Sequence, residues 1–248
     1  MKPRIWISAI AACALLAGSV ATGHAAGAMT KEQRQEFEQV IKEYLLANPQ
    51  VVLDALTNAQ QWQETRKMSD NAERLFRSPN AFVAGNPDGD ISLVEFFDYN
   101  CGYCKRAMGD VLAYIEEDPN VRVIMREFPI LGRGSIIASQ AALASRKQNK
   151  YWEFHLALMG TNGIQNEAQV MEVAKSVGLD TTRLKQDMQD PAIMAAIGEG
   201  HELATALGIN GTPSFVLDDQ LLPNVENLKE ALASATAEIR ANGGCKVC

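Results

Sequence analysis

Apolar residues recur along this chain at two different periods, and the change of period divides it. Phe37, Val40, Ile41, Tyr44 and Leu45 fall at i, i+3, i+4, i+7 and i+8, the spacing of one helical stripe. Thr30 and Gln33 ahead of them make a capping-box pattern. Asn48-Pro49 closes that helix and opens a second, because Asn caps well and Pro suits a first helical position. Val52, Leu56 and Ala59 carry a stripe on to Trp62. After Trp62 the chain reads as polar on every side (Glu64, Arg66, Lys67, Asp70, Asn71, Glu73, Arg74), a pattern that bridges domains or frays. Ser78-Pro79 ends it. Helices packed on a main domain would fit this stretch. The preferred expectation is an arm over residues 26–78 whose stripe meets the same stripe on other copies.

From Phe82 the pattern shortens to strands. Phe82-Val83 is a short one, and Gly85-Asn86-Pro87-Asp88-Gly89-Asp90 is dense in turn residues. Ile91–Tyr99 reads as a buried strand, followed at once by a helix from about Cys101 to Glu117 and a strand over Val121–Arg126. This β-turn-β-α-β opening is the first half of a thioredoxin-like sheet. Ser135 to Leu207 then reads helical nearly throughout, far more helix than one crossover needs, so a helical subdomain is expected within the sheet's connection. Ser214–Leu217 and Gln220–Leu222 are strands around an Asp218-Asp219 turn, and Val225–Arg240 is a closing helix. The expected class is α/β: a thioredoxin-like domain over 79–242 with a helical insertion at about 135–207, preceded by a helical arm.

The first residues stand apart from this. Lys2 and Arg4 precede an apolar run from Ile5 to Val20, and small residues follow through Gly23-His24-Ala25-Ala26, the order of a cleaved secretory leader over 1–25. Removing its two basic residues and no acidic ones takes the formal charge from −7 to −9. So acidic a chain is a poor partner for nucleic acid or an anionic membrane surface. Export also places the cysteines where disulfides persist.

Four cysteines remain beyond the leader, as two Cys-x-x-Cys pairs, Cys101/Cys104 and Cys245/Cys248. A lone pair of this kind suits a zinc site equally well. Here Cys101 falls where a buried strand ends and a helix begins, a place where unpaired N–H groups and the helix dipole favour an anion, and a thiolate is that anion. Cys104, one turn on, is expected buried and protonated, resolving a mixed disulfide formed by Cys101. Gly102 and Tyr103 between them set local shape and potential. Glu95 lies in the core strand, a costly place for a carboxylate unless it exchanges protons with Cys104; the alternative is a sheet edge with Glu95 facing outward. Gly211-Thr212-Pro213-Ser214 opens a strand, and a cis Thr212–Pro213 bond would set the Thr212 backbone beside the cysteines.

With these residues in this order, and with VEFFDYNCGYCKRA (Val94–Ala107) and REFPIL (Arg126–Leu131), residues 80–240 resemble the DsbA family of bacterial periplasmic disulfide enzymes. The arm, with EYLLANPQVVLDAL (Glu43–Leu56), looks most like the ScsC-type branch linked to suppression of copper sensitivity. The resemblance implies Cys101 as nucleophile, Cys104 as resolving thiol, Glu95 as buried acid, and Thr212-Pro213 as a cis-proline loop holding substrate backbone. It also implies oligomerisation through the arm, as a trimer or dimer, and isomerisation of disulfides. Partners would be unfolded or misoxidised exported proteins and a membrane thiol reductase or oxidase, with no cofactor beyond the redox-active disulfide. The Gly-Tyr dipeptide departs from the Pro-His of the strong oxidases, which leaves the potential, and with it the choice between isomerase and dithiol oxidase, open.

Cys245 and Cys248 in the tail over 243–248 fall outside the core resemblance. They fit a second disulfide, a soft-metal pair that would suit Cu(I) sequestration, or a relay thiol pair. His155 and His201 lack ligand-spaced partners and read as surface or core filler, and Trp152 and Phe154 as helix packing.

Overall fold

The computed structural model describes residues 29–223 and 227–248. The expected leader, and Val225 at the expected start of the closing helix, lie outside the described residues. Contacts divide the chain into one unit ending at Ala55 and another from Leu56 onward.

In the first unit, α1 runs over Lys31–Ala47. Its capping box is formed: the Thr30 hydroxyl accepts from the Gln33 N–H at 3.2 Å, and the Gln33 side chain accepts from the Thr30 N–H at 3.0 Å. No residue of α1 is buried, and Phe37, Val40, Ile41, Tyr44 and Leu46 are exposed. Asn48 is its C-cap, and α2 starts at Pro49 and runs to Phe76.

In the second unit, five strands, β1 (Phe82–Gly85), β2 (Ile91–Phe97), β3 (Val121–Glu127), β4 (Ser214–Leu217) and β5 (Gln220–Leu221), form a sheet in the order β1-β3-β2-β4-β5. Only β2 and β3 are parallel, and α3 (Gly102–Glu117) makes the crossover between them. Every residue of β2 is buried, since it lies in the middle with both faces covered. Alternation along the strands sorts the two faces. Ile91, Leu93 and Phe97 join Val123, Met125, Phe215 and Leu217 with the inner side of α3 (Cys104, Met108, Val111). Val94 and Phe96 face the other way, with Ile124 and Val216.

The helical insertion comprises α4 (Arg133–Ser145), α5 (Tyr151–Met159), α6 (Glu167–Ser176), α7 (Thr181–Asp187) and α8 (Pro191–Leu207). Asn166, Asp180 and Asp190 each cap the helix that follows with a side-chain oxygen. The closing helix α9 spans Leu228–Ala241 and packs beside α3 and β4.

One expectation is corrected. The stretch beyond Trp62 is not polar all round: Met68, Leu75 and Phe76, at i, i+7 and i+8, are buried with Val94, Phe96 and Ile124 on the sheet face opposite α3. The last turns of α2 are thus core of the second unit rather than arm and linker. Val247 and Cys248 pack against that same cluster, which brings the tail back onto the domain.

Candidate active site

The chain leaves β2 at Phe97 and enters α3 at Gly102, and the four residues between are held by two side chains. Asp98 is fully buried. One carboxylate oxygen accepts from the Asn100 N–H at 2.7 Å, and the other from the Ile130 and Leu131 N–H groups at 2.8 and 2.9 Å. Asn100 accepts from the Ile164 N–H at 2.8 Å and donates to the Ile164 carbonyl and Ser135 hydroxyl at 2.9 and 3.1 Å. Sequence reasoning passed over both. Their signal was available: polar residues at the end of a largely apolar strand, directly before the first cysteine.

This junction makes Cys101 the N-cap of α3. Its thiol donates to the Thr212 carbonyl at 3.1 Å, and the Thr212–Pro213 peptide bond is cis. Cys104 is fully buried behind it, and both cysteines are unpaired thiols here. Burial pushes the Cys104 thiol well above the usual cysteine range, with the nearby charges of Glu95 and Cys101 adding to the rise and a backbone hydrogen bond at Asp98 opposing it. Tyr103 is 69% exposed and carries the Arg106 guanidinium 4.3 Å above its ring.

Glu95 lies inside the sheet, between Met125 of β3 and Phe215 of β4, and not at an edge. Alternation with Leu93 and Phe97 turns it to the face that carries Cys104. It is fully buried, and neither carboxylate oxygen has a hydrogen-bond partner among the described residues. Desolvation alone pushes its pKa up to about 8, so the carboxyl is neutral over most of the ordinary pH range. Ionised, this carboxylate can accept the proton of a buried thiol beside it, so that the pair carries a single charge before and after the transfer.

A cavity of about 650 Å³ opens beside the Thr212-Pro213 loop, lined by Tyr103, Arg106, Asp110, Pro213, Phe215 and Leu222 among others. Its lining carries both signs of charge, Arg106 and Asp110.

Residues 92–233 match the family model described as a DSBA-like thioredoxin domain. The chain belongs to the DsbA-like thioredoxin family. Residues 33–65 match a second model, the copper resistance protein ScsC N-terminal domain. Among solved structures, a thioredoxin-like oxidoreductase from Silicibacter pomeroyi is 51% identical, covering 68% of this chain and 97% of its own, with a TM-score of 0.66. A linker-deletion mutant of Proteus mirabilis ScsC is 28% identical, covering 87% and 99%, with a TM-score of 0.70. The chain spans only about a quarter of the length of the Na(+)/H(+) antiporters among its curated relatives: 28% identity over 163 residues, 64% of this chain, reaches 25% of NhaA 1 of Salinispora arenicola. It spans 82% of the probable disulfide bond formation protein D of Bacillus cereus, at 23% identity.

Other polar groups outside the DsbA-like site are now placed. His155 is buried, with Nδ1 3.0 Å from the Tyr99 hydroxyl, and burial lowers its pKa to about 3. Tyr99 and Tyr151 both donate to one oxygen of the buried Glu127, at 3.2 and 2.9 Å, and burial raises Glu127 to about 8. His201 is an edge-on neighbour of Phe128, Phe154 is core, and Trp152 stacks on His155. Cys245 and Cys248 are joined in a disulfide.

Proposed function

We propose that this protein is a periplasmic thiol–disulfide oxidoreductase that acts on exported proteins, as a disulfide isomerase. The observation that carries the reading is the placement of the Cys101 sulfur: at the N-terminus of α3, against the Thr212 carbonyl, with Cys104 buried behind it and an unpartnered Glu95 on the same face. Ionised, Cys101 attacks a sulfur of a substrate disulfide, and the other substrate sulfur leaves as a thiolate. A correct substrate thiolate then displaces Cys101 and the enzyme is regenerated reduced. If none arrives, Cys104 attacks Cys101, gives its proton to an ionised Glu95, and releases the substrate reduced.

Substrate backbone would lie along the Thr212-Pro213 loop and side chains in the neighbouring cavity. The exposed stripe of α1 supports assembly of several copies, a trimer or dimer, around a shared substrate. That arrangement favours isomerisation, because enclosure keeps a substrate near its thiolate partner and hinders an oxidising membrane partner. A membrane thiol reductase would keep the pair reduced, and no bound cofactor takes part. Running the same steps from the oxidised pair would make the protein a dithiol oxidase.

The test is refolding of a scrambled multi-disulfide protein in glutathione buffer by the exported chain and by Cys101→Ser and Cys104→Ser. Isomerase activity lost in Cys101→Ser and partly kept in Cys104→Ser is expected. Activity only when the enzyme is supplied oxidised would make it an oxidase, and no activity with retained Cu(I) binding would make it a copper carrier.

A further inference from the structure

Asp218 occupies the turn between β4 and β5, at the end of the sheet remote from Cys101, and is fully buried. Its N–H donates to the Ser92 carbonyl and its Oδ1 accepts from the Ser92 N–H, both at 2.8 Å, which fixes the carboxylate at the start of β2. Oδ2 has no partner. Beyond α9, Gly243 and Gly244 adopt φ of 85° and 80°, a region open to glycine, and turn the chain back onto the domain. Cys248 then rests against the core with its Sγ 3.6 Å from Asp218 Oδ1, and its N–H donates to Cys245 Sγ at 2.9 Å.

A disulfide that stabilises a fold gains most by closing a long loop of the unfolded chain. Cys245 and Cys248 are three positions apart, so their bond ties the tail only to itself. What surrounds it is instead asymmetric. An N–H aimed at Cys245 favours a thiolate there, while Cys248 is set inward beside a buried carboxyl. In the first pair too, the second cysteine, Cys104, has a buried carboxyl, Glu95, within electrostatic reach.

We propose that Cys245–Cys248 is a second redox-active disulfide that exchanges with a dithiol from outside the chain, with Asp218 as the proton donor and acceptor for Cys248. The first pair of the same chain is not that dithiol: β2 alone puts roughly 17 Å between Ser92 and Phe97, beyond which Cys101 lies. A cavity of about 510 Å³ lined by Arg77, Asp88, Asp90, Arg122, Cys245 and Cys248 gives the donor access. A donor thiolate attacks Cys245 Sγ, forming one S–S bond and breaking the Cys245–Cys248 bond. The electron pair leaves on Cys248 Sγ, which takes the proton of Asp218. The donor's second thiol, losing its proton to solvent, attacks the donor sulfur now bound to Cys245. Cys245 leaves as a thiolate held by the Cys248 N–H. The donor ends as a disulfide, the tail has gained two electrons, and solvent reprotonates Asp218. Oxidation of the tail runs these steps backward.

Burial raises Asp218 to about 6; the Ser92 N–H and Arg122 oppose this, Asp219 and Asp90 reinforce it, and Tyr114 is also within electrostatic reach. The test uses the exported chain carrying Cys101→Ser and Cys104→Ser, with dithiothreitol as donor and alkylation of the peptide bearing Cys245 and Cys248 as readout. The folded tail should be reduced. Its rate, corrected for the ionised fraction of dithiothreitol, should fall about fivefold from pH 6 to pH 7, as protonated Asp218 is depleted. Asp218→Asn, which keeps an oxygen for the Ser92 N–H, should flatten that fall. A tail that stays oxidised until the protein unfolds, or a profile without the fall in the chain that retains Asp218, overturns the proposal, and the latter decides even if Asp218→Asn does not fold. So does a metal ion held by the reduced tail after dialysis against a chelator.

Discussion

The Glu95 carboxyl is near enough to the Cys104 thiol for its charge to oppose ionisation of the sulfur, yet no donor among the described residues satisfies it. Two groups that both resist ionisation therefore share one dry compartment, and a proton passed between them leaves a single charge to accommodate. Glu95→Gln removes the acceptor. Resolution of a mixed disulfide by Cys104 should slow by about two orders of magnitude, the low end of what a positioned acid–base group contributes, about 10²–10⁴. Trapping a Cys101-linked peptide and following its release by mass measures this, while the first attack by Cys101 should be little changed.

The same residue predicts a pH dependence of stability. Its folded pKa of about 8 lies above the ordinary value of 4.5, so between these the unfolded chain has lost a proton that the folded one keeps. Stability is therefore greatest below the unfolded pKa and declines as pH rises toward 8, by about 1.4 kcal/mol per unit from this group. Urea unfolding of the reduced protein from pH 4 to 9 should show that slope, and Glu95→Gln should lessen it by about that amount.

On α1, Phe37, Ile41 and Tyr44 form an exposed stripe on a helix with no buried residue. Ile41→Glu with Tyr44→Glu should convert an oligomer to a monomer by sedimentation velocity, because each charge would have to be desolvated in the interface. Attack by Cys101 on a small disulfide should persist in the monomer, whereas refolding of a scrambled protein should weaken. An unchanged mass would remove α1 from the assembly.

Elements with a strong period were legible in the sequence, and isolated signals were not. β2 and β4 stood out as short apolar runs bounded by turn residues, and Glu95 stood out because a carboxylate interrupts such a run. The cis Thr212–Pro213 loop was readable from its position after the insertion. Met68, Leu75 and Phe76 were lost among charged neighbours, although their spacing carries the buried side of α2. Asp218 was read only as a turn residue; nothing local reveals that a tail 30 positions away returns to it. The Glu127, Tyr99, Tyr151 and His155 cluster joins residues 24 to 56 positions apart, so only the packing of α5 against β3 discloses it.

That cluster predicts an acid limb. His155 is neutral in the folded protein down to about pH 3, while an unfolded histidine takes a proton near 6.5. Stability from keeping it neutral is complete above the unfolded pKa and is lost as pH falls toward 3, again by about 1.4 kcal/mol per unit. Glu127, raised to about 8, acts in the opposite sense on the alkaline side. His155→Phe should shrink the acid limb while leaving the alkaline one, as read by urea midpoints between pH 3 and 9.

The buried turns of α2 give the last prediction. Met68 and Leu75 are fully buried, in contact with the sheet face opposite the site, and Arg126 beneath them reaches the Leu75 carbonyl and Glu199. Leu75→Ala removes three carbons from a packed position without touching that ion pair, and should cost about 2–5 kcal/mol, with Met68→Ala in the same range. An arm only appended to the domain would tolerate both. Unfolding of the reduced protein in urea distinguishes the cases: a lowered midpoint with unchanged slope places α2's end in the cooperative unit, and an unchanged midpoint detaches it.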